Sequence, residues 1–405
     1  MKRFMKILEI NVCCGVGSTG RICTDIADLA EKNGHICKVA YGRDGVLKEH
    51  EKYAVRIGNK LTVLLDAFLS RIFDNAGFNS KCSTRKFIKW VKQFDPDIIH
   101  LHNLHGYYIN VEVLFDYLKK ANKPVIWTLH DCWSFTGHCA HFDAVGCNKW
   151  LEGECSSCNH KQEYPSSALF SRAKKNYIRK KNCFCGVEYL RIVTPSEWLA
   201  DLVKKSFLKE YPVSVISNGI DTSVFTPKET CFKKDNGIED KIMVLSVASV
   251  WTDKKGFSDF IELSKNLDDR YVCVMVGVDK KQKEKIPTNM IAIERTNSIQ
   301  ELAEIYSAAD VFVNLTYEDT YPTVNLEALS CGTPIVTYPT GGSKEIVIQN
   351  GGFVSNNKDY VEISKIITEN FINTKNNVLI ALNNSKVFDR MGKYDEYLDV
   401  YEKLV

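Results

Sequence analysis

Two successive series of alternating strand-like and helix-like segments constrain the fold of this chain more than any other feature. In the first series, apolar runs at 6–12, 35–41 and 98–102 alternate with segments of helical periodicity such as 20–33. A second series of the same kind occupies 243–337. Because strand–helix–strand alternation is typical of parallel sheets covered by helices, the sequence predicts an α/β fold with two such domains.

The size and composition of the chain fit two globular domains. Its 405 residues exceed one ordinary core, and 44% hydrophobic with 25% charged residues is typical of soluble proteins. No run of 18 apolar residues occurs, and Glu9 and Asn11 interrupt the region where a signal peptide would need an apolar core. Fifteen cysteines without such a signal indicate a reducing cytoplasm with mostly free thiols.

Charge is distributed unevenly between the two halves of the chain. Residues 1–220 carry 32 Lys or Arg against 22 Asp or Glu, a net charge of +10, whereas residues 221–405 carry 21 against 28, a net charge of −7. This division suggests that the first half faces an anionic partner. Chance variation among solvated helix faces is the alternative interpretation.

The segment 318–334 places two carboxylates on either side of a turn-to-helix junction. An apolar strand at 311–315 precedes it, Asp319 lies before the predicted helix, and Glu327 lies eight residues later. Pro322 suits the first helical turn, where its missing N–H costs nothing.

The chemistry of this junction suits a sugar nucleotide. The free amides near Thr323 and Val324 would point at an anion such as a diphosphate. Asp319 would accept hydrogen bonds from sugar hydroxyls, and Glu327 would reach a ribose. An ordinary strand–turn–helix with a surface acid is the alternative.

Several motifs occur in an order that resembles one known family. The segment 318–334 resembles the E-x7-E signature of retaining glycosyltransferases with the GT-B fold, family 4, with Asp319 where the family usually has Glu. Residues 216–227 resemble the interdomain signature of that family, and residues 127–131 resemble its T-x-H-D segment. Lys255 matches the lysine of its K-G motif, although the arginine that usually precedes that motif is missing.

The resemblance implies a GT-B architecture of two Rossmann-like domains that face each other across a cleft. Residues 1–217 would form the acceptor-binding domain, with a cysteine-rich insertion at 132–165. Residues 218–385 would form the nucleotide-sugar-binding domain. A C-terminal helix at 386–405 would pack back on the first domain.

The resemblance also implies the site residues of a retaining transfer without a catalytic metal. His130 and Asp319 would be catalytic, with His130 positioning and polarising because the leaving diphosphate helps to deprotonate the acceptor. The implied donor-binding residues are Gly15, Gly17, Lys255, Asp319, Tyr321, Thr323, Val324 and Glu327. The donor would be a UDP- or GDP-linked sugar.

A glycine-rich loop follows the first predicted strand. Gly15, Gly17 and Gly20 would let backbone amides approach a phosphate closely. The G-x-G-x-x-G spacing also suits a dinucleotide fold, but the second strand ends in Tyr41-Gly42-Arg43 without the acidic residue that a ribose would need. The loop therefore fits a donor phosphate better than NAD, and a plain tight turn is the alternative.

The cysteine-rich insertion suggests a structural metal. Cys139, Cys147, Cys155 and Cys158 have the spacing C-x7-C-x7-C-x2-C, and four thiolates can hold zinc tetrahedrally. Free thiols in a folded loop are the alternative. A nucleic-acid-binding zinc module is disfavoured because the surrounding chain is of the α/β enzyme type.

Partners and location follow from the resemblance and from two candidate membrane-contacting segments. Residues 97–106 resemble transferases that build bacterial capsule, O-antigen or exopolysaccharide, which implies a glycan or polyprenyl-diphosphate-linked acceptor and no nucleic acid. The basic segment 172–181 and the apolar segment 61–73 would suit peripheral contact with the anionic cytoplasmic face of the inner membrane. A solvated face and a core helix are the alternatives.

Three other functions remain open at this point. A nucleotide-sugar 2-epimerase shares the GT-B architecture, and it would not need an acceptor to release free nucleotide. An NAD-dependent enzyme would show protection by that cofactor. A non-catalytic nucleotide-sugar-binding protein would tolerate replacement of Glu327.

Overall fold

The chain forms two compact units, each built on one parallel β-sheet. The structure, a computed structural model, describes residues 3–151, 153, 155–156, 158, 161–371 and 385–405. The first unit comprises Met1–Ser217 and Tyr394–Val405, and the second comprises Asn218–Lys393.

The first unit contains a seven-stranded sheet. Its strands are β1 (Lys6–Asn11), β2 (Ile36–Tyr41), β3 (Ala54–Arg56), β4 (Ile98–Leu101), β5 (Val125–Thr128), β6 (Leu190–Thr194) and β7 (Val213–Val215). They lie in the order β3-β2-β1-β4-β5-β6-β7, and every pair is parallel. The helices are α1 (Gly17–Lys32), α2 (Lys60–Phe73), α3 (Lys81–Phe94), α4 (Val111–Ala121), α5 (Ala173–Phe184) and α6 (Glu197–Lys205).

The second unit repeats this topology with six strands. They are β8 (Ile242–Val247), β9 (Tyr271–Val276), β10 (Ile291–Ile293), β11 (Val311–Asn314), β12 (Ile335–Thr337) and β13 (Gly352–Val354), in the order β10-β9-β8-β11-β12-β13 and all parallel. The helices are α7 (Phe232–Asp235), α8 (Phe257–Lys265), α9 (Lys280–Lys283), α10 (Ile299–Ala308), α11 (Thr323–Ser330), α12 (Ser343–Asn350), α13 (Tyr360–Asn370) and α14 (Arg390–Glu402).

The two sheets confirm the predicted α/β class and its two Rossmann-like domains. Central strands such as β9 (sequence YVCVMV) are buried along their whole length, as expected for strands of a parallel sheet with both faces covered. The three-residue strands β3, β10 and β13 lie at sheet edges and carry little pattern of their own.

Strand order determines where each unit can present a binding site. Successive strands are added in one direction across the sheet up to β3 and in the opposite direction from β4, so the strand order reverses between β1 and β4 in the first unit and, in the same way, between β8 and β11 in the second. In open parallel sheets, ligands bind beyond the carboxyl ends of the strands at such switch points. The loops that follow these four strands are therefore the places to look for a site.

The boundary between the units falls inside α14 rather than at its start. The prediction assigned residues 386–405 to one C-terminal helix on the first domain, whereas residues 386–393 belong to the second unit. Arg390 donates to Asp221 at 2.8 Å, and Asp389 forms a parallel bridge with Ile220. These contacts hold the first turn of α14 in the second unit.

The remaining turns of α14 are buried against the sheet of the first unit. Tyr397 and Tyr401 have 3% and 0% of their surface exposed, and the Tyr401 hydroxyl lies 2.7 Å from His100 Nδ1. Among the described residues, no helix combines the length and apolar character that crossing a membrane requires.

Candidate active site

Two consecutive lysines pair with two consecutive acids at the switch point of the second unit. The loop after β8 carries Lys254 and Lys255, and the loop after β11 carries Glu318 and Asp319. Lys255 Nζ donates to Asp319 at 2.8 Å, and Lys254 Nζ donates to Glu318 at 2.9 Å. The two loops are therefore joined by both ion pairs.

The two ion pairs differ in exposure. Glu318 is buried, so the Lys254–Glu318 pair ties the loops together as part of the structure. The side chains of Lys255 and Asp319 are 40% and 20% exposed. Lys255 and Asp319 are thus the charged pair that remains accessible to a ligand.

The glycine that follows Lys255 is required by its surroundings. Gly256 has φ of +81°, and an added Cβ would lie 2.6 Å from the backbone and side chain of Leu315 at the end of β11. A side chain here would push the β8 loop away from the β11 loop. Gly256 therefore lets Lys255 approach Asp319.

Helix α11 presents one partly exposed face. It begins at Thr323, so Pro322 immediately precedes the helix with φ −70° and ψ 117°, rather than lying within its first turn as predicted. Of its residues, only Thr323, Val324 and Glu327 have partly exposed side chains. These positions share one face because residues three and four apart are neighbours on a helix.

Tyr321 is placed differently from its neighbours in the predicted donor site. Its side chain is 8% exposed and packs in the core of the second unit with Leu326 and Ile346. Its backbone N–H donates to Asp319 Oδ1 at 3.2 Å. The structure thus favours a role for Tyr321 in orienting the Asp319 carboxylate, and not a contact of its ring with a ligand.

Buried polar side chains position Glu327 and its helix. The hydroxyl of Tyr306, which is fully buried on α10, donates to Glu327 Oε2 at 3.0 Å. Asn325 accepts from Asn314 at 2.8 Å and donates to Ser343 at 2.9 Å. These bonds connect α11 to β11 and to the start of α12.

In the first unit, the predicted glycine loop lies at the carboxyl end of β1. Gly15 and Gly17 have φ of +71° and +70°, and an added Cβ on Gly15 would lie 2.4 Å from His50 Nδ1. Helix α1 begins at Gly17 without a side-chain cap. Gly17 is exposed, with no atom within 4 Å of an added Cβ, so its backbone is open to approach.

His130 lies at the carboxyl end of β5 and is the outermost member of a buried chain of polar groups. Its Nε2 lies 3.0 Å from His102 Nδ1, and the planes of the two rings are 12° apart. The other nitrogen of the His102 ring, Nε2, lies 3.3 Å from Glu9 Oε2 on β1. Glu9 and His102 have 0% and 1% of their surface exposed.

Burial favours the neutral forms of the groups in this chain. It raises the pKa of Glu9 well above its usual value and lowers the pKa of His102 well below its own. Burial also lowers the pKa of His130 to about 4. His130 therefore acts near neutral pH as a hydrogen-bonding group without charge.

A second pair lies beside His130. His105 Nε2 is 2.6 Å from Asp131 Oδ2, and His105 Nδ1 is 3.1 Å from the hydroxyl of Tyr164. Although burial opposes ionisation of Asp131, the neighbouring His105 lowers the pKa of Asp131 to about 2. His102, His105, His130 and Asp131 all line one small cavity.

His100 has a structural role. Its Nδ1 lies 2.7 Å from the Tyr401 hydroxyl, and its Nε2 lies 2.8 Å from Thr128 Oγ1. Thr128 donates its own proton to Tyr397, so it accepts from Nε2–H, and Nδ1 accepts from Tyr401. Glu9, His100 and His102 form the one group of potential metal ligands within 4.8 Å of one another among the described residues, but these bonds occupy both nitrogens of His100.

Three contributors to the site were missed by sequence reasoning. Glu318 and Tyr306 hold the loop and the helix of the second unit, and Glu9 lies behind His102 in the first. An acid in the middle of the otherwise apolar strand β1 was the available signal for Glu9. The partners of Glu318 and Tyr306 are distant in sequence, and no local pattern indicates them.

Comparison with protein families covers most of the chain. Residues 19–224 match the family described as Glycosyltransferase Family 4, and residues 228–383 match the family described as Glycosyl transferases group 1. The boundary between the two matches falls at residues 224–228, shortly after the first unit ends at Ser217.

Among curated proteins, the chain is similar to bacterial glycosyltransferases. The putative colanic acid biosynthesis glycosyl transferase WcaC of Escherichia coli (strain K12) is 25% identical over 376 residues, which cover 89% of this chain and 90% of the relative. The N,N'-diacetylbacillosaminyl-diphospho-undecaprenol alpha-1,3-N-acetylgalactosaminyltransferase of Campylobacter jejuni is 27% identical over 225 residues, or 51% of this chain and 58% of the relative.

Solved structures share the fold at low sequence identity. The sucrose-phosphate synthase of Thermosynechococcus elongatus superposes with a TM-score of 0.72 at 14% identity over 99% of both chains. Anabaena HepE in complex with UDP superposes with a TM-score of 0.67 at 14% identity over 99% of this chain and 100% of that one. The Glycosyltransferase Family 4 match spans more than half of the chain, and the chain therefore belongs to that family and is a glycosyltransferase.

Proposed function

We propose that this enzyme transfers a sugar from a UDP- or GDP-linked donor, with retention of anomeric configuration, to a polyprenyl-diphosphate-linked glycan during bacterial surface polysaccharide synthesis. The observation that carries this proposal is the exposed Lys255–Asp319 pair beside the exposed face of α11 at the switch point of the second sheet. A cation, a free helix amino end and two acids are the groups that a sugar diphosphate nucleoside requires.

Each group of the second unit has a role in the proposed reaction. Lys255 and the first amides of α11 stabilise the diphosphate as the bond between the sugar C1 and the diphosphate oxygen breaks. Asp319 accepts hydrogen bonds from the hydroxyls of the transferred sugar, and Glu327 accepts them from the ribose. The protein supplies the positive charge that stabilises the leaving diphosphate, so the proposed step needs no catalytic metal.

The acceptor side of the reaction is assigned to the first unit. The acceptor oxygen forms its bond to C1 on the face that the diphosphate leaves, and its proton passes to the departing diphosphate. Neutral His130 orients the acceptor hydroxyl through a hydrogen bond, and the Gly15–Gly17 backbone offers amides that can bind a phosphate. The hydrogen bond with His102, which itself contacts Glu9, holds the His130 ring in place.

A lipid-linked acceptor is supported by the unusual polarity of helix α2. Its residues Leu61, Leu64, Leu65 and Phe68 are between 59% and 76% exposed and occupy one face at helical spacing. The opposite face buries Asp66, whose carboxylate accepts from Ser70 and Asn79. The helix thus buries its polar face and exposes its apolar face, the reverse of a core helix.

The exposed apolar face of α2 continues onto a neighbouring segment and has basic side chains around it. Phe73 at the end of α2 stacks on Phe170, which is 50% exposed, at 6.1 Å between ring centroids. Leu169 is 64% exposed, and Arg172 lies over the Phe73 ring. Four further basic residues are exposed, either within α2 or within three residues of Arg172: Lys60, Arg71, Lys174 and Lys175.

An apolar surface with a basic surround suits the surface of an anionic membrane, where apolar side chains enter the interface and cations meet lipid headgroups. The names of two relatives agree with this assignment, since one concerns colanic acid and the other a diphospho-undecaprenol acceptor. We therefore place the enzyme at the cytoplasmic face of the membrane.

The donor and the stereochemistry can be tested directly. A thermal-shift screen with UDP- and GDP-sugars should raise the melting temperature with one nucleotide class, because a ligand of the native state stabilises it by mass action. Proton NMR of the product should show the anomeric configuration of the donor. Epimerised donor with free nucleotide released in the absence of acceptor would contradict transfer.

Membrane contact needs its own experiment. Sedimentation with vesicles should show binding to phosphatidylglycerol vesicles and weak binding to phosphatidylcholine vesicles. The triple variant Leu61→Ser, Leu64→Ser, Phe68→Ser should lose binding, whereas the control Val250→Ser, Ile299→Ser, Ile348→Ser, which alters exposed apolar residues of the second unit, should keep it. Equal binding by both variants would contradict the assignment.

A further inference from the structure

The arginine that follows strand β2 has a side chain without an acceptor. Arg43 is half-buried, and among the described residues its guanidinium forms no hydrogen bond and no ion pair. The carboxylate of the next residue, Asp44, instead accepts from Cys13 Sγ at 2.9 Å. An arginine side chain is always charged and presents five N–H donors in a fixed fork. The Arg43 guanidinium is therefore open to an anionic ligand.

The backbone on both sides of Arg43 is fixed by hydrogen bonds. The N–H groups of Gly42 and Arg43 both donate to the carbonyl oxygen of Val12, at 3.2 and 2.9 Å. The guanidinium of Arg56 donates to the carbonyl oxygens of Gly42 and Asp44, at 3.3 and 3.4 Å. The loop thus presents Arg43 from a fixed position, which reduces the cost of ordering it when a ligand binds.

The loops around Arg43 contain strained backbone. Asp44 and Tyr107 have φ of +62° and +68°, in the left-handed region where a bulky residue such as tyrosine is an outlier. Gly106 has φ of +117°, and an added Cβ there would lie 2.4 Å from Val12 Cγ2 and 3.8 Å from Arg43 Cδ. Gly106 therefore lets the loop after β4 pack beside Arg43. Strain of this kind is concentrated at functional sites.

A series of contacts leads from this loop to the cavity that His130 lines. Tyr107 follows the glycine beside Arg43, and its ring meets the ring of Tyr164 edge-on, with 6.4 Å between centroids. The Tyr164 hydroxyl lies 3.1 Å from Nδ1 of His105, which lines the same cavity as His130. The two tyrosines therefore connect the surroundings of Arg43 with the cavity.

The segment that carries Tyr164 also packs on helix α2. The N–H of Ala168 donates to the carbonyl oxygen of Arg71 at 2.7 Å, and the ring of Phe170 stacks on that of Phe73. The exposed apolar face assigned above to the membrane therefore begins a few residues beyond Tyr164. The same tyrosine that contacts His105 thus belongs to the segment next to this face.

The cysteine-rich insertion carries Tyr164 and packs on the core of the first unit. The N–H of Ala140 donates to the carbonyl oxygen of Tyr164 at 3.2 Å. Three of the four cysteines for which zinc was predicted contact the core: Cys139, Cys147 and Cys155. Within the described part of the chain, no three of the four sulfurs lie within 4.8 Å of one another. Packing and backbone hydrogen bonds thus place Tyr164, and the zinc site stays a prediction.

We propose that the Arg43 guanidinium binds the diphosphate of the acceptor, an assignment that rests on the polyprenyl-diphosphate acceptor proposed above. Such an acceptor carries its diphosphate between the glycan and the lipid. The cavity at His130, the Arg43 guanidinium and the apolar face of α2 supply a site for each of these three parts, and the two tyrosines connect them. Arginine suits this role because its planar fork can pair with two phosphate oxygens at once.

Calorimetry with a short lipid diphosphate tests the proposal without glycosyl transfer. The probe is farnesyl diphosphate, and the protein carries Lys255→Met so that the proposed donor site loses its cation. Adding Arg43→Met should raise the dissociation constant of the probe about tenfold or more, because charged hydrogen bonds are lost. Arg85→Met, which removes an exposed arginine of α3, should leave it unchanged. The affinity for farnesol, which has no diphosphate, should not depend on Arg43.

A second comparison separates the acceptor diphosphate from a phospholipid headgroup. Arg43→Met should bind phosphatidylglycerol vesicles as well as the unaltered protein does. Loss of vesicle binding with unchanged affinity for farnesyl diphosphate would assign Arg43 to the membrane surface and overturn the proposal. Arg43→Lys keeps the charge but not the fork, so its affinity for the probe should be intermediate. It serves as the second variant if Arg43→Met does not fold.

The proposal and the proposed function can fail separately. The proposal is overturned if farnesyl diphosphate binds equally well with and without Arg43→Met, or binds to neither protein. Transfer of sugar to a lipid-linked glycan would in that case still support the transferase assignment. Conversely, probe binding that depends on Arg43 in a protein that transfers no sugar would contradict the proposed function alone.

Discussion

Lys255 Nζ lies 2.8 Å from Asp319 Oδ2, although 64 residues separate them in the chain. The pair forms because β8 and β11 are adjacent parallel strands, so the loops at their carboxyl ends meet. In the absence of a donor, each residue neutralises the charge of the other. A bound diphosphate would compete with Asp319 for Lys255, which would free the carboxylate for the sugar.

Replacement of Lys255 should affect turnover more than folding. Lys255→Met removes the cation that stabilises the leaving diphosphate, and we expect a loss in kcat of on the order of 100-fold. Its side chain is 40% exposed, so the melting temperature should change little. The control Lys265→Met breaks an exposed ion pair with Glu262 on α8 and should keep full activity. Unchanged kcat in Lys255→Met would contradict the assigned role.

Glu327 should determine donor affinity. Glu327→Gln keeps the shape of the side chain and the bond from Tyr306, but it weakens a charged hydrogen bond to the ribose by about 1.5–3 kcal/mol. We expect a rise in the dissociation constant of the donor of roughly tenfold or more, measured by calorimetry.

Tyr306→Phe provides the comparison for Glu327. It leaves the carboxylate in place but removes the hydroxyl that orients it. The loss of donor affinity should therefore be smaller than in Glu327→Gln. Donor binding by Glu327→Gln as tight as that of the unaltered enzyme would exclude a direct contact with the nucleotide.

His130 should make the first unit less stable at low pH. Burial lowers its pKa to about 4 in the folded protein, against about 6.5 when unfolded. Below pH 6.5 the unfolded chain therefore binds a proton that the folded chain does not, so the free energy of unfolding falls as pH decreases toward 4. His130→Asn should lose less stability over this interval.

Tryptophan fluorescence during urea unfolding can measure this effect, because five of the six tryptophans lie in the first unit. The comparison of slopes between pH 7.5 and pH 5 is internal to each protein, so a general loss of stability in the variant does not affect it. Identical pH slopes for both proteins would show that His130 is not held neutral by burial.

Tyr401 should stabilise the first unit through its buried hydroxyl. Tyr401→Phe leaves His100 Nδ1 without its donor in a fully buried environment, and we expect a loss of about 1–3 kcal/mol in the free energy of unfolding. Tyr189→Phe, which alters a side chain that is 48% exposed, should have little effect. Equal stability of the two variants would show that the His100–Tyr401 bond contributes nothing.

Local patterns were enough to predict the fold class and to indicate the candidate donor site. Strand and helix periods repeat within short segments, so the alternation that produces two parallel sheets can be read directly from the chain. The spacing of Asp319 and Glu327 is likewise local, because a helix that begins at Thr323 sets where Glu327 points. The resemblance to family motifs, which are also short local patterns, indicated Lys255 and His130 as candidate site residues.

Other features were decided only when distant segments packed together. Glu318 pairs with Lys254, and Glu9 contacts His102. The Tyr401 hydroxyl forms a hydrogen bond with His100, which is 301 residues away in the chain. The sequence indicated that 61–73 is apolar and would suit either membrane contact or a core helix, but not that Asp66 would be buried and the leucines exposed. Which residues pair and which helix face is buried depend on the neighbouring elements against which each segment packs. A local sequence pattern does not contain that information.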